Sequence, residues 1–227
     1  MTGMRGASGR GGDDAFRVAL ADVLRPLSDP AAIQQEAARL LGQRLGASRV
    51  HYGQFVENGR YLLVQSDYCD DAPSVVGRRR LNEYGATALA EFLAGRTRVV
   101  QDIATDTTST PNERAAAEAF GIRAFVLAPL VKNGVPVAAF AVHQTEPRVW
   151  TPNEIILIEE TAERTWAAVE RAQTEDALRQ SREDFVRAQE VGQIGWWRLD
   201  TTQNILTWSD ENYRIFGAPK GAPLTYE

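Results

Sequence analysis

Cysteine is almost absent from this chain. A single residue, Cys69, among 227 excludes an internal disulfide and any zinc or iron–sulfur site built from several thiolates. Histidine is nearly as scarce, with only His51 and His143, and no third group stands at triad or ligand spacing from either. No basic excess exists: 25 Lys and Arg against 30 Asp and Glu leave a net charge of −5, without the stripe that a nucleic-acid partner needs. No apolar run is long. Ala124–Val131 and Val135–Val142 fall far below the ~20 residues of a membrane-spanning helix. Met1–Gly12 carries glycine, arginine and serine without the apolar centre of a secretion signal. These absences predict a cytoplasmic protein with neither a nucleic-acid nor a membrane partner, and a 44% apolar composition suffices for a globular core.

What is present reads as an ordered succession of elements after a disordered leader, residues 1–12. Phe16, Leu20, Val23, Leu24 and Leu27 recur at helical spacing, with Asp13 or Asp14 as the cap. A second helix opens with Asp29-Pro30 and closes at Gly46. The period then switches to two. Arg49–Val56 and Arg60–Tyr68 form a hairpin around Glu57-Asn58-Gly59, and Asp70–Arg80 is a polar excursion. A short helix is predicted over Ala86–Ala94 and a strand over Thr97–Ile103. Thr110-Pro111-Asn112-Glu113 then opens another helix in near capping-box form. Ile122–Val131 and Val135–Gln144 make a second hairpin across Asn133-Gly134.

Thr151–Glu154 starts the longest helical run. Ile155, Ile158, Ala162, Thr165, Val169 and Ala172 stand at heptad spacing, a pattern shared by a solvated linker helix and a dimer seam. Under the second reading the chain is a homodimer through helices 13–27 and 152–187. Past a helical linker, residues 173–190, two strands around Thr201–Asn204 and a short helix Asp210–Phe216 carry three of the five tryptophans. Such a piece is too small to bury its own aromatics, and it reads as the first part of a domain that continues beyond Glu227.

The element order, with Gly121–Leu130, Asn133-Gly134, Val142-His143-Gln144, Pro147–Trp150 and Glu154, resembles a GAF domain over about residues 15–172. GAF domains are small-molecule-sensing α+β modules with a central antiparallel sheet. The closing stretch is particularly similar to GAF domains of phytochromes and cyanobacteriochromes, which hold a bilin. Gly192–Gly217 resembles the start of a PAS domain. The resemblance implies a GAF sensory domain at 13–172, a linker at 173–190 and an incomplete PAS segment at 191–227, the sensory half of a bacterial sensor histidine kinase. It implies no catalysis in this region itself. In cyanobacteriochromes a Cys-His pair follows the Thr-Pro and the thiol attaches the bilin; here Asn112 and Glu113 stand in those places, so no covalent bilin is expected.

The pocket candidates are His143, which matches the family's late-strand histidine, together with Ala141 and Tyr52; His51 has the weaker claim. A histidine merely hydrogen-bonded at a strand end is the competing reading of His143. Three carboxylates flank Cys69 and disfavour its thiolate. Arg78-Arg79-Arg80 reads as a solvated strand edge, although guanidinium forks also suit an anionic ligand. Three functions remain open: a regulatory input module with a small-molecule ligand, a photosensor holding bilin noncovalently, and a small enzyme.

Overall fold

Local chemistry fixes where the elements begin and end. The computed structural model describes residues 6–57, 59–80, 90–92, 94–222 and 224, with side chains from residue 11. Helix α1 spans Gly6–Leu24 and α2 Pro30–Leu45. Asp29 caps α2, accepting from the Ala31 and Ala32 amides at 3.4 and 3.0 Å, and Gly46 ends it at φ 59°. Helix α3, Pro111–Ala119, carries a full capping box: the Glu113 amide donates to Thr110 Oγ1 at 3.2 Å, and the Glu113 carboxylate accepts from the Thr110 amide at 2.6 Å. The predicted helix Ala86–Ala94 falls mostly outside the described residues, as does Asn58 of the first hairpin turn.

Six strands follow the two-residue period: β1 Arg49–Val56, β2 Tyr61–Cys69, β3 Gly77–Arg80, β4 Arg98–Val100, β5 Ala124–Lys132 and β6 Val135–Gln144. They form one antiparallel sheet in the order β3-β2-β1-β6-β5-β4. The β5–β6 turn uses Asn133 and Gly134 at φ 53° and 76°, the positive pair that a two-residue hairpin needs to match strand twist. Part of the expected polar excursion is therefore a strand, β3, which forms one edge of the sheet.

The two faces of the sheet have different fates. Val50 and Tyr52 of β1, Val126 and Leu130 of β5, and Phe140 and Val142 of β6 enter the main core with α1, α2 and the long helix α4, Pro152–Gly192. The opposite face, carrying His51, Leu62, Val64 and Ala141, looks toward α3 and encloses a cavity. The fold is α+β.

Three expectations change. Residues 6–12 belong to α1 instead of a disordered leader, and Asp13 is not a cap; its carboxylate pairs with Arg44 at 2.6 Å. That pair and the burial of Phe16, Leu20 and Leu24 supply a helix nucleus, to which further turns add at low cost. The heptad stripe is not a seam between chains. Ile158, Ala162, Thr165, Val169 and Ala172 are all buried within the chain's own core. The two threonines on this face satisfy their buried hydroxyls within the helix: Thr161 and Thr165 turn them back to the carbonyls of Leu157 and Thr161, each at 2.7 Å.

The chain divides into two units, Met1–Gln173 and Thr174–Glu227. In the second, β7 Trp197–Asp200 and β8 Ile205–Trp208 pair antiparallel, followed by α5 Asp210–Ile215. Ser209 caps α5 and Trp208 stacks with Tyr213 and Phe216. Trp197 and Phe216 stay largely exposed. Among the described residues no helix is long and apolar enough to cross a membrane.

Candidate functional site

Strand alternation decides which side chains reach the cavity. Arg49 and His51 project from β1 on one face, Val50 and Tyr52 on the other. Across the β1–β6 ladder Arg49 stands opposite His143 and His51 opposite Ala141, so the polar pair and the small residue meet on the same face. The cavity has a volume of about 150 Å³. Its walls are mostly apolar: Leu62 and Val64 from β2, Phe125 and Leu127 from β5, Ala117 from α3. The polar atoms come from His51, His143, Arg79, Arg98 and Glu113.

His143 and Ala141 therefore line the cavity together, and Tyr52 does not. Tyr52 packs edge-on to Phe140 in the helix-facing core, its hydroxyl buried without a partner among the described residues. One residue's shift along a strand reverses its face, which is why the candidate from β1 is His51 and not its neighbour.

Arg49 organises one end of the site. It is 1% exposed, and its Nε donates to His143 Nδ1 at 3.1 Å. Its terminal nitrogens donate to the carbonyl of Pro73 and, at 3.3 Å, to that of Phe120. Because Nδ1 accepts, the hydrogen-bond pattern assigns the proton of the neutral His143 ring to Nε2. Burial above all, then the proximity of His51 and of the Arg49 charge, holds the His143 pKa well below its ordinary value. His51 is lowered to about 3, by burial first and Arg49 second. Both rings are neutral at pH 7; they meet edge-on with centroids 5.1 Å apart, and His51 Nδ1 is buried without a partner among the described residues. The hydrogen-bonded reading of His143 and the cavity reading thus hold together.

Arg79 comes from the edge strand. Its guanidinium lies 4.2 Å from the Phe120 ring centroid and makes one long bond, 3.4 Å, to the Val75 carbonyl. Arg78 and Arg80 are exposed, so the basic run is a solvated edge at two positions and a cavity wall at the third. Across the cavity Arg98 is neutralised: its Nη1 reaches Glu113 at 2.7 Å and its Nη2 the Ser109 hydroxyl at 2.7 Å. Burial opposes the Glu113 charge, but hydrogen bonds from Arg98 and Thr110 outweigh it and hold its pKa below the usual carboxylate value.

Asn112 is exposed, and it is the next residue, Glu113, that faces the cavity. Cys69 is exposed and lies outside the lining, its thiol pushed up to about 11 by burial and Asp67. Among the described residues no cluster of His, Cys, Asp and Glu has the makings of a metal site. Sequence reading missed Arg49 and Arg98 altogether. Their signal was present as arginines at the starts of β-rich runs, where a charge needs a reason to enter a sheet.

A family model of the GAF domain matches residues 29–169. No curated protein sequence matches the chain. Among solved structures, the phycoerythrobilin-bound GAF domain from a cyanobacterial phytochrome is similar at 15% identity, covering 72% of this chain and 97% of that one with a TM-score of 0.63. The blue-light absorbing form of the Thermosynechococcus elongatus PixJ GAF domain is similar at 21% identity, with 67% and 92% coverage and a TM-score of 0.57. Free methionine-R-sulfoxide reductase from Neisseria meningitidis is similar at 15% identity, with 72% and 93% coverage and a TM-score of 0.57. At these identities the likeness is one of fold.

Proposed function

The chain belongs to the GAF domain family, and from that premise we propose that residues 13–172 are a sensory input module that binds a small molecule in the sheet–α3 cavity and passes its state along α4. The observation that carries this reading is the cavity: polar groups, two of them fixed by their own hydrogen bonds, converge on an otherwise apolar concavity. The same core that holds the sheet also holds α4 through Leu157, Ile158 and Val169, so a shift of the sheet is felt by the helix.

In this reading the module belongs to a cytoplasmic sensor histidine kinase of a two-component system, with residues 173–190 as linker and 191–227 opening a PAS domain. The support for PAS is the β7–β8 hairpin with its capped helix and uncovered aromatics, Trp197 and Phe216. The homodimer uses surfaces of α1 and α4 other than the buried stripe; the exposed apolar residues Val18, Ile156, Leu178, Phe185 and Val186 support this.

Two other readings have less support. A bilin carries four linked rings, and a space of about 150 Å³ suits one, on the scale of a cavity that takes up benzene. An enzyme of the sulfoxide-reductase kind requires reactive thiols, and the only cysteine is exposed, outside the lining and held as the thiol.

Native mass spectrometry of freshly purified protein tests the proposal. A mass increment that survives gentle ionisation and disappears on denaturation supports it. A chain free of ligand, whose α4 hydrogen exchange no small molecule alters, overturns it. Absorbance after adding biliverdin separates the photosensor: a bound, red-shifted pigment favours that reading.

A further inference from the structure

The cavity is electrically lopsided. Its Arg98 is paired with two carboxylates, Glu113 at 2.7 Å and Asp106 at 3.8 Å, so no uncompensated positive charge stands at that end. At the other end Arg49 and Arg79 form no ion pair with any carboxylate among the described residues; the acceptors they find are carbonyl oxygens and His143 Nδ1. Asp67, whose charge acts on Arg49 from a distance, is itself engaged with the Ser74 hydroxyl at 2.9 Å and the Val75 amide at 2.6 Å. Arg49 is a guanidinium taken out of water with only neutral hydrogen-bond partners, which is costly, while the half-buried Arg79 lines the cavity beside it; an anion arriving at Arg79 relieves that imbalance.

The geometry also fixes what that anion meets. Phe120 joins the two arginines, its carbonyl accepting from Arg49 while its ring lies under Arg79. Arg49 in turn holds His143 in the tautomer that carries its proton on Nε2, and beside it His51 Nδ1 is buried without a partner among the described residues. The cavity therefore offers a fork of N–H donors from Arg79 and a single N–H from His143, against apolar walls with room for one ring.

Resting on the sensing role proposed above, we infer that the ligand is a small single-ring organic acid, its carboxylate held by Arg79 and His143 and its ring seated between Leu62, Phe125 and Leu127. Arg49 is a positioning residue, acting through His143. A free inorganic anion satisfies the donors and leaves the apolar walls dry; a neutral ring does the reverse. Only a molecule with both fits the whole site.

Isothermal titration of the full chain with benzoate, benzamide, toluene and inorganic phosphate separates these cases. Benzoate is expected to bind at least tenfold more tightly than benzamide, and phosphate is expected not to compete. Arg79→Gln should lower benzoate affinity to the benzamide level while toluene binding stays the same, and Arg79→Lys should restore part of it. Because Arg79 sits on the edge strand, its circular dichroism melt serves as the check that the variant is folded. Equal affinity for benzoate and benzamide, or a benzoate preference that survives Arg79→Gln, overturns the acid while leaving a ring-binding sensor intact. Binding of no ring compound overturns the inference as well, and native mass spectrometry then decides the sensing role independently.

Discussion

Arg49 and His143 face each other across the β1–β6 ladder, and the bond between them, Arg49 Nε to His143 Nδ1 at 3.1 Å, joins a buried cation to a ring that lines the cavity. One residue thereby serves both the sheet and the site. Replacing Arg49 with Met keeps the apolar stem and strips the Pro73 and Phe120 carbonyls and His143 Nδ1 of their donor. Orphaned buried acceptors cost about 1–3 kcal/mol each, so a loss of about 3 kcal/mol is expected. Urea denaturation measures it, and 15N spectra of the imidazole should show His143 released from its single tautomer.

The two neutral histidines make stability depend on pH above the carboxylate range. Their folded pKa values lie below the ordinary 6.5, His51 at about 3, so the unfolded chain takes up protons that the folded chain refuses. The contribution is complete above pH 6.5 and is lost as pH falls toward the folded values, at about 1.4 kcal/mol per pH unit for each ring. Unfolding free energies at pH 7, 6 and 5 should decline on that slope. His51→Gln should flatten it by up to half; a stability that does not change between pH 7 and 5 contradicts the neutral pair.

Glu113 acts lower on the scale. Its folded pKa lies below the ordinary 4.5, so its stabilisation is present above that value and is lost as pH falls through the folded one. Glu113→Gln should remove this part of the acid limb and leave Arg98 with only the longer 3.8 Å contact to Asp106, a loss toward the lower end of the about 3–5 kcal/mol of a broken buried pair at pH 7. Acid titration of both forms by circular dichroism compares the two limbs.

In the second unit Gly195 stands where no side chain fits. A Cβ there would come within 1.7 Å of Asn212 Oδ1, and Asn212 in turn donates to the Trp196 carbonyl at 3.0 Å. Gly195→Ala should therefore break the link between hairpin and helix α5. Tryptophan emission should shift toward the red as Trp196 and Trp208 become more solvated; an unchanged spectrum counts against this contact.

Much of this was legible before any coordinates. Asp29-Pro30, Thr110-Pro111 and Asn133-Gly134 are local rules: each capping or turn residue acts on a backbone within four positions, so sequence displays cause and effect together. The strand face at β1 was not, because Arg49-Val50-His51-Tyr52 alternates basic residues with valine and tyrosine, and with aromatic rings on both sides it does not say which is helix-covered. That depends on pairing with β6, some ninety residues on. Arg98 and Glu113 illustrate the same limit, since each alone reads as a surface charge and only the fold makes them a buried pair. The heptad stripe failed for a related reason. Period alone records that a helix has one apolar face and is silent about what covers it.

That stripe yields the last prediction. If Val169 lay on a seam between chains, Val169→Glu would separate them and leave the sheet domain folded. Val169 is instead 2% exposed, packed within the chain's own core beside α1 and α2. A carboxylate placed among these apolar side chains must either be protonated or drag water inward, at a cost of several kcal/mol on any transfer scale, a large share of the roughly 5–15 kcal/mol that holds a domain together. Val169→Glu is thus expected to abolish the cooperative melt of the sheet domain. Leu178→Glu, on a residue 72% exposed further along the same helix, should leave that melt unchanged. Sedimentation completes the comparison, since it reads assembly apart from folding. A folded Val169→Glu chain of reduced mass would return the stripe to the role of a seam; an unfolded one, beside a folded Leu178→Glu, fixes it as core.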